Sequence, residues 1–210
     1  QGEQVAGELV VTSISGLTAL LAPVFASFQD HYPAVMIRYL TDRRLFRLDY
    51  GEAHVAIRAG AIPEEPDNVV QPLITMDYGL YAARSYVDRH GLPGSEAELA
   101  QHQFIGPESP DNRAPFYRWL RDKVPAEAIA FRITEPAANL EALKAGLGLG
   151  FCTSHFASQN PDLVQVFAPR PEWAAPLWIV THVDLHRTLK VQSFLTHLKR
   201  ASQDWATTCI

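Results

Sequence analysis

Cysteine is scarce in this chain of 210 residues, which has only Cys152 and Cys209. Two cysteines so far apart make no disulfide framework and lack the spacing of a metal site. Cys152 lies in an apolar run and reads as a small core residue. Positive charge is also short: 18 Lys plus Arg face 23 Asp plus Glu, for a net −5. Without a basic stripe, the chain is not expected to hold nucleic acid by itself. Apolar runs extend only a few residues, far short of a membrane span. The opening residues, Gln1-Gly2-Glu3-Gln4-Val5-Ala6-Gly7, have neither the charged nor the apolar region of a signal peptide. That points to a cytoplasmic protein, although a mature secreted chain would lack those regions too. There is no internal repeat and no low-complexity tract.

What is present is a good supply of core material. The chain is 47% hydrophobic and 20% charged, enough to bury a substantial core in one or two domains. Its most informative stretch is residues 8–40. Leu9-Val10-Val11 opens a strand that turns polar at Thr12-Ser13-Ile14-Ser15-Gly16. Leu17, Leu20, Leu21, Val24, Phe25, Phe28 and Tyr32 then recur at spacings of three and four, which places them on one helical face. Pro33 stops the helix, and Val35 to Leu40 reads as a second strand. Strand, helix and strand with links this short make a βαβ unit with parallel strands and a right-handed crossover.

The turn between the first strand and the helix is the first candidate site. Ser13, Ser15 and Gly16 lie where the strand's carboxyl end meets the helix's amino end, and Ile14 between them is counted with the site. In open α/β sheets ligands bind there, because free N–H groups and the helix dipole both favour an anion. The competing reading makes Ser15 a simple helix cap. Thr41 and Asp42 then cap a helix over Arg43 to Gly51, with Arg43, Arg44 and Arg47 on its solvated face. His54 to Ile57 is a short strand that ends in Arg58. The planar fork of Arg58 suits a carboxylate or phosphate ligand, and suits equally an ion pair with a neighbouring acid.

Past the polar loop 61–68, strands are expected over Val69 to Thr75 and Tyr78 to Ala83, with a small helix around Tyr86 and Val87. Ser95 and Glu98 form a capping box before another short helix. Gln103 to Ile105 reads as a strand that enters a loop from Gly106 to Asn112. Phe116, Trp119 and Leu120 mark a helix and read as core, and Ala128 to Thr134 is a strand. Asn139 is placed as the cap of a helix that ends at Gly146 or Gly148, with a buried strand directly after it. The alternating glycines Gly146, Gly148 and Gly150 follow a helix and open a strand. Cradling a pyrophosphate needs the reverse order, so a dinucleotide site is rejected. Leu163 to Phe167 and Leu177 to Val183 are further strands, and an amphipathic helix closes the chain over Arg187 to Arg200.

This order of pieces resembles the effector-binding domain of a LysR-type transcriptional regulator, over about Gly7 to Arg200. The markers are Gly7-Glu8-Leu9-Val10-Val11, Leu20-Leu21-Ala22-Pro23, Tyr32-Pro33-Ala34-Val35, Ala56-Ile57-Arg58 and Glu141 to Leu149, taken in their order and spacing. The resemblance implies an α/β fold of the two-lobed, periplasmic-binding-protein-like type 2 class with two crossover strands. Lobe one would be residues 7–76 plus 183–205, and lobe two residues 77–182. A small-molecule effector would bind between the lobes. Thr41, Gly106, Pro107, Glu135, Asn139 and Thr153 then join Ser13, Ile14, Ser15 and Arg58 as effector positions. His54 stands where the family commonly has an acid, and Thr153 stands where it often has a proline. The resemblance also implies a homodimer or homotetramer. The candidate contacts are the Val35 to Leu40 strand with the helix after it, and the helix from Leu140.

The family's N-terminal winged helix-turn-helix is absent from the sequence, so contact with DNA is expected only through that missing domain. No catalytic residue, metal or cofactor is assigned, and no membrane contact is expected. A solute-binding protein of a transport system would share the cleft and is the alternative reading. An enzyme on the same scaffold would need a nucleophile and a base, and Ser13 with His155 is not a convincing pair.

Overall fold

The computed structural model describes residues 4–41, 48 and 52–205. The helix expected over Arg43 to Gly51, apart from Leu48, lies outside the described residues, as do Asp42 and Cys209. The chain opens with β1 (Gly7–Ser13), a 3-10 turn (Ser15–Leu17), α1 (Thr18–His31) and β2 (Val35–Thr41). β3 (Val55–Ala59), β4 (Asn68–Met76), β5 (Tyr78–Ala83), α2 (Arg84–His90) and a 3-10 helix (Glu96–Gln101) follow. Next come β6 (Phe104–Pro107), α3 (Pro115–Lys123), β7 (Ile129–Ile133), α4 (Pro136–Lys144), β8 (Gly150–Thr153) and α5 (Ser154–Ser158). β9 (Leu163–Phe167), β10 (Ala175–His182), α6 (Val183–His186) and α7 (Leu189–Ser202) complete the order.

The chain forms two compact units, leaving the first between Ile74 and Thr75 and returning to it between Ala175 and Pro176. Residues 176–182 therefore belong to the first unit, not to the second lobe as the sequence reading had them. The reason is pairing: Leu177 to Val180 of β10 lie antiparallel to Ala59 to Ala56 of β3.

The first unit is a five-stranded sheet in the order β2-β1-β3-β10-β4. β1 lies parallel to β2 and to β3, so the expected βαβ unit is present. Of the seven residues placed on one helical face, Leu17 to Phe28 are buried. Tyr32 falls just past the helix as its C-cap, with its ring 4.9 Å from Phe28. Phe194 of α7 packs edge-on to Phe28 at 5.3 Å and stacks on Phe25 at 6.0 Å. Each buried Leu or Phe contributes about 1.5–3 kcal/mol relative to exposure. Val10 packs with Leu48, Ala53, Ala56 and Val180 on one sheet face. Leu9 and Val11, on the other face by the two-residue period, are fully buried.

The second unit has β5 between β8 and β9, antiparallel to both. β6 and β7 form a parallel pair. A parallel bridge between Phe104 and Leu149 sets β6 beside the entry to β8. Leu80, Ala82, Phe104, Phe116, Phe151 and Trp173 share one core cluster. Tyr81, Ile105, Ile133, Leu143 and Cys152 share another. Cys152 is 1% exposed, the small core residue expected, and burial pushes its thiol well above the ordinary range.

Four local expectations are corrected. Gly106 and Pro107 are strand residues rather than loop, because β6 continues in register with Arg132 and Ile133. α4 starts at Pro136 with Glu135 as its N-cap, so Asn139 is inside the helix; a proline at the first helical position outweighs the capping preference of asparagine. The Ser95 side chain makes no capping bond, and Glu98 instead accepts from the Gly94 N–H at 2.6 Å. Finally, the strand expected to run through Val183 ends at His182, where the short α6 begins, while the closing helix expected over Arg187 to Arg200 is α7.

The glycine run has a separate role at each position. Gly146 has φ +76° and ends α4. Its N–H donates to the Leu143 carbonyl (3.1 Å) and the Leu147 N–H to the Ala142 carbonyl (3.1 Å). That is a Schellman motif, which satisfies the last helix carbonyls. At Gly148 a Cβ would lie 2.8 Å from the Gln103 carbonyl oxygen. That contact is with backbone, where Leu149 N–H already donates to Gln103 O at 2.8 Å. Gly148→Ala is therefore expected to cost about 1–3 kcal/mol through overpacking. Urea unfolding checks it, and an unchanged midpoint would contradict the close approach.

Candidate functional site

The first edge is formed by the carboxyl ends of three parallel strands. β1 ends at Ser13 opposite Thr41 of β2. Thr12 of β1 pairs with Ala56 of β3, which carries Arg58 past that edge. Ser13 is 5% exposed, Ile14 and Ser15 are half-buried, and Thr41 is exposed. Ser15 is the first residue of the 3-10 turn rather than its cap, which is Ile14.

The Ser13 hydroxyl donates to the Ile14 carbonyl at 2.9 Å. With its one proton used there, it accepts from the Tyr39 hydroxyl at 2.6 Å, and Tyr39 accepts from Thr18 Oγ1 at 3.2 Å. This relay ties β1, β2 and the start of α1 together. In this arrangement the Ser13 hydroxyl has its one proton committed to Ile14. The sequence reading missed Tyr39. Its signal was a polar-tipped aromatic in an apolar strand, two residues before Thr41 and therefore on the same face.

Of the two roles the sequence left open for Arg58, the structure shows the ion pair. Its Nη1 donates to Glu65 Oε1 at 2.6 Å, with the arginine side chain 15% exposed and the glutamate 41%. Burial alone would raise the Glu65 carboxyl. Its own backbone N–H, then the hydrogen bond and charge of Arg58, outweigh that and hold it below the ordinary value. The guanidinium is thus largely desolvated and pre-oriented by one acid, with further N–H groups in its fork.

The second unit has an edge of its own. β6 and β7 end side by side, Pro107 opposite Ile133, and the Glu108 N–H donates to the Ile133 carbonyl at 2.8 Å. β8 ends at Thr153, opposite Tyr78 of β5. Pro107, Glu135 and Thr153 therefore stand at strand ends that point the same way. Thr153 Oγ1 accepts from the Phe156 N–H at 3.1 Å and so caps α5, which leaves its proton to donate.

Gly106 and Asn139 lie deeper. A Cβ at Gly106 would meet Ile129 Cγ2 at 2.9 Å, and Asn139 is 5% exposed. Asn139 Nδ2 donates to the Phe151 carbonyl at 2.8 Å and ties α4 to β8. Its Oδ1 is buried with no partner among the described residues. Ser13 and His155 fall in different units, and the Ser13 proton is committed to Ile14. Among the described residues no group of three His, Cys, Asp or Glu could hold a metal ion, and no helix is long and apolar enough to cross a membrane.

The model of the LysR substrate binding domain matches residues 2–203. The chain belongs to the LysR substrate-binding-domain family. It is the effector-binding type of regulatory domain found in LysR-type transcriptional regulators.

The chain is 27% identical over 191 residues to the probable HTH-type transcriptional regulator LtrA of Klebsiella pneumoniae, covering 85% of this chain and 60% of the relative. It is 26% identical over 202 residues to an HTH-type transcriptional repressor of Pseudomonas aeruginosa, covering 90% of this chain and 62% of the relative. The chain thus spans about three-fifths of these curated relatives.

Among solved structures, the CrgA regulatory domain from Neisseria meningitidis superposes with a TM-score of 0.79 at 21% identity, over 93% of this chain and 98% of that one. The effector domain of AmpR of Pseudomonas aeruginosa gives 0.71 at 17% identity, over 95% and 97%. The fold of this LysR-type domain is periplasmic-binding-protein-like α/β, with β4 and β10 carrying the chain from one unit to the other. Each relative named here is a regulator of transcription, so the reading as a transport solute-binding protein is set aside.

The Arg58–Glu65 pair yields a pH-dependent expectation. A carboxyl held below its ordinary value stabilises the fold above that value and loses the contribution as pH falls through the folded one. A double-mutant cycle of Arg58→Ala and Glu65→Gln should show about 0.5–1 kcal/mol of coupling near neutrality, as for a partly exposed pair. Thermal melts should show that coupling fading as pH falls well below the ordinary glutamate range.

Proposed function

We propose that this domain is the sensor of a LysR-type transcriptional regulator and that its effector is a small anion engaged at the strand-end edges described above. The observation that carries this reading is Arg58, a largely desolvated guanidinium towards the carboxyl end of β3, a strand parallel to β1. Ser13, Ile14, Ser15 and Thr41 supply its surroundings in the first unit. In the second unit, Pro107, Glu135 and Thr153, with Gly106 and Asn139 beneath them, are the candidate positions of that unit's own edge. The domain acts by binding and not by catalysis. DNA contact belongs to a helix-turn-helix outside this chain, and the compartment such a regulator works in is the cytoplasm.

Self-association completes the proposal. β2 is an edge strand of its sheet and carries Met36, 51% exposed. An edge of this kind is a ready surface for pairing with a second copy. The β2 edge and the Leu140 face of α4 are the contacts we assign to a homodimer or homotetramer. A two-fold interface is self-complementary, so one substitution strikes it twice.

A thermal-shift screen of small carboxylates, aromatic acids and amino acids identifies a ligand, because binding raises stability by RT ln(1 + [L]/Kd). Calorimetric titration of that ligand then tests the role of Arg58. Arg58→Ala should weaken an anionic effector by about 1.5–3 kcal/mol, the range of a charge-assisted hydrogen bond. Glu65→Gln, which removes the competing acid, should tighten it. An anion that binds Arg58→Ala as tightly as the parent, while the melting temperature alone falls, would reduce Arg58 to a fold-stabilising ion pair.

A further inference from the structure

His54 lies at the other end of the first unit's sheet from Arg58, just before β3 begins. β1 is paired along its length with β2, but β3 reaches it only from Val55 onward. The backbone of Val10 would face a gap on that side. His54 closes it with two bonds: its backbone N–H donates to the Val10 carbonyl at 2.8 Å, and its ring Nδ1 accepts from the Val10 N–H at 2.8 Å. An imidazole nitrogen accepts only when it carries no proton, so this bond requires the neutral ring with its proton on Nε2.

The surroundings favour the neutral form. Burial of the ring lowers its proton affinity first, Lys190 of α7 lowers it further, and Glu8 of β1 partly offsets both. Glu8 is itself engaged by Arg38 of β2 at 3.1 Å, and Lys190 Nζ donates to the Glu8 carbonyl. Protonation would replace the acceptor with a donor, leave the buried Val10 N–H without its partner, and set a cation near Lys190. An orphaned buried donor costs about 1–3 kcal/mol.

We propose that His54 is an acid-released latch, in which the neutral ring holds the Val10 amide and protonation opens the junction where β3 joins β1. The stabilisation is complete above the ordinary histidine value of 6.5 and is lost as pH falls below it, because the unfolded chain then binds the proton more readily. An aspartate at this position could also accept the Val10 N–H, but would not titrate in that window.

The test is amide exchange at Val10, read relative to Leu80 of the second unit, between about pH 8 and about pH 5. The relative protection of Val10 should fall below pH 6.5 by up to about tenfold per pH unit and then level off. In His54→Asn, whose Oδ1 takes the place of Nδ1 and accepts without titrating, it should stay flat. Equal pH dependence in both proteins, or a flat profile in the parent, would overturn the latch. If the variant does not fold, the parent alone decides. Nitrogen shifts of the His54 ring should show Nδ1 unprotonated at the high end, and its protonation should coincide with the loss at Val10. Protonation that leaves Val10 protected would refute the proposal.

Discussion

A strand buried on both faces must satisfy both rows of its backbone N–H and C=O groups inside the protein. Every residue of β1 from Leu9 to Ser13 is buried, and the first unit is arranged to meet that demand. β2 pairs the whole length of β1 on one side, β3 takes the carboxyl half of the other, and His54 closes what β3 leaves open. Because both neighbours are parallel to β1, the connections must cross over the sheet, and the helix of the first crossover packs its apolar face on it. The same parallel order brings Ser13, Thr41 and Arg58 to one edge. The candidate site is thus a consequence of how the core strand is paired.

The second unit reaches a similar edge by a different route. Its core strand β5 is antiparallel to both neighbours, and the parallel order comes from β6, β7 and the entry to β8. Close approach of backbones makes this possible, with Gly148 against Gln103 and Gly106 against the Ile129 side chain. Asn139 fastens α4 to β8, and Thr153 caps α5, so strand ends and helix starts are held by hydrogen bonds rather than by loop conformation.

Much of this was legible from residue spacing. The three-and-four recurrence from Leu17 to Phe28 marked the first helix and its buried face, and Pro33 marked its exit. The expected strands at Tyr78 to Ala83 and Leu163 to Phe167 match their observed bounds. Local signals misled where tertiary pairing or a stronger neighbour overrode them. Pro136 starts α4 ahead of Asn139, Glu98 reaches Gly94 rather than completing a box with Ser95, and pairing with β7 extends β6 through Gly106 and Pro107. The partners of the site residues were not legible at all. Glu65 lies in the loop after β3, seven residues from Arg58, and Tyr39 lies 26 from Ser13 across a strand pairing, so no single helix or strand carries either contact.

The central claim is that this LysR-type domain reads its effector at the carboxyl ends of its parallel strands, with Arg58 as the anion-binding group. Amide chemical-shift mapping during titration with a ligand found by stabilisation tests this most directly. The account predicts that the largest shifts fall at Ser13 to Gly16, Thr41, Arg58 and Ala59. The opposite sheet end, at Val10 and His54, should stay nearly still. Shifts confined to that opposite end, or to the α7 groove lined by Leu73, Ile74 and Lys199, would contradict it.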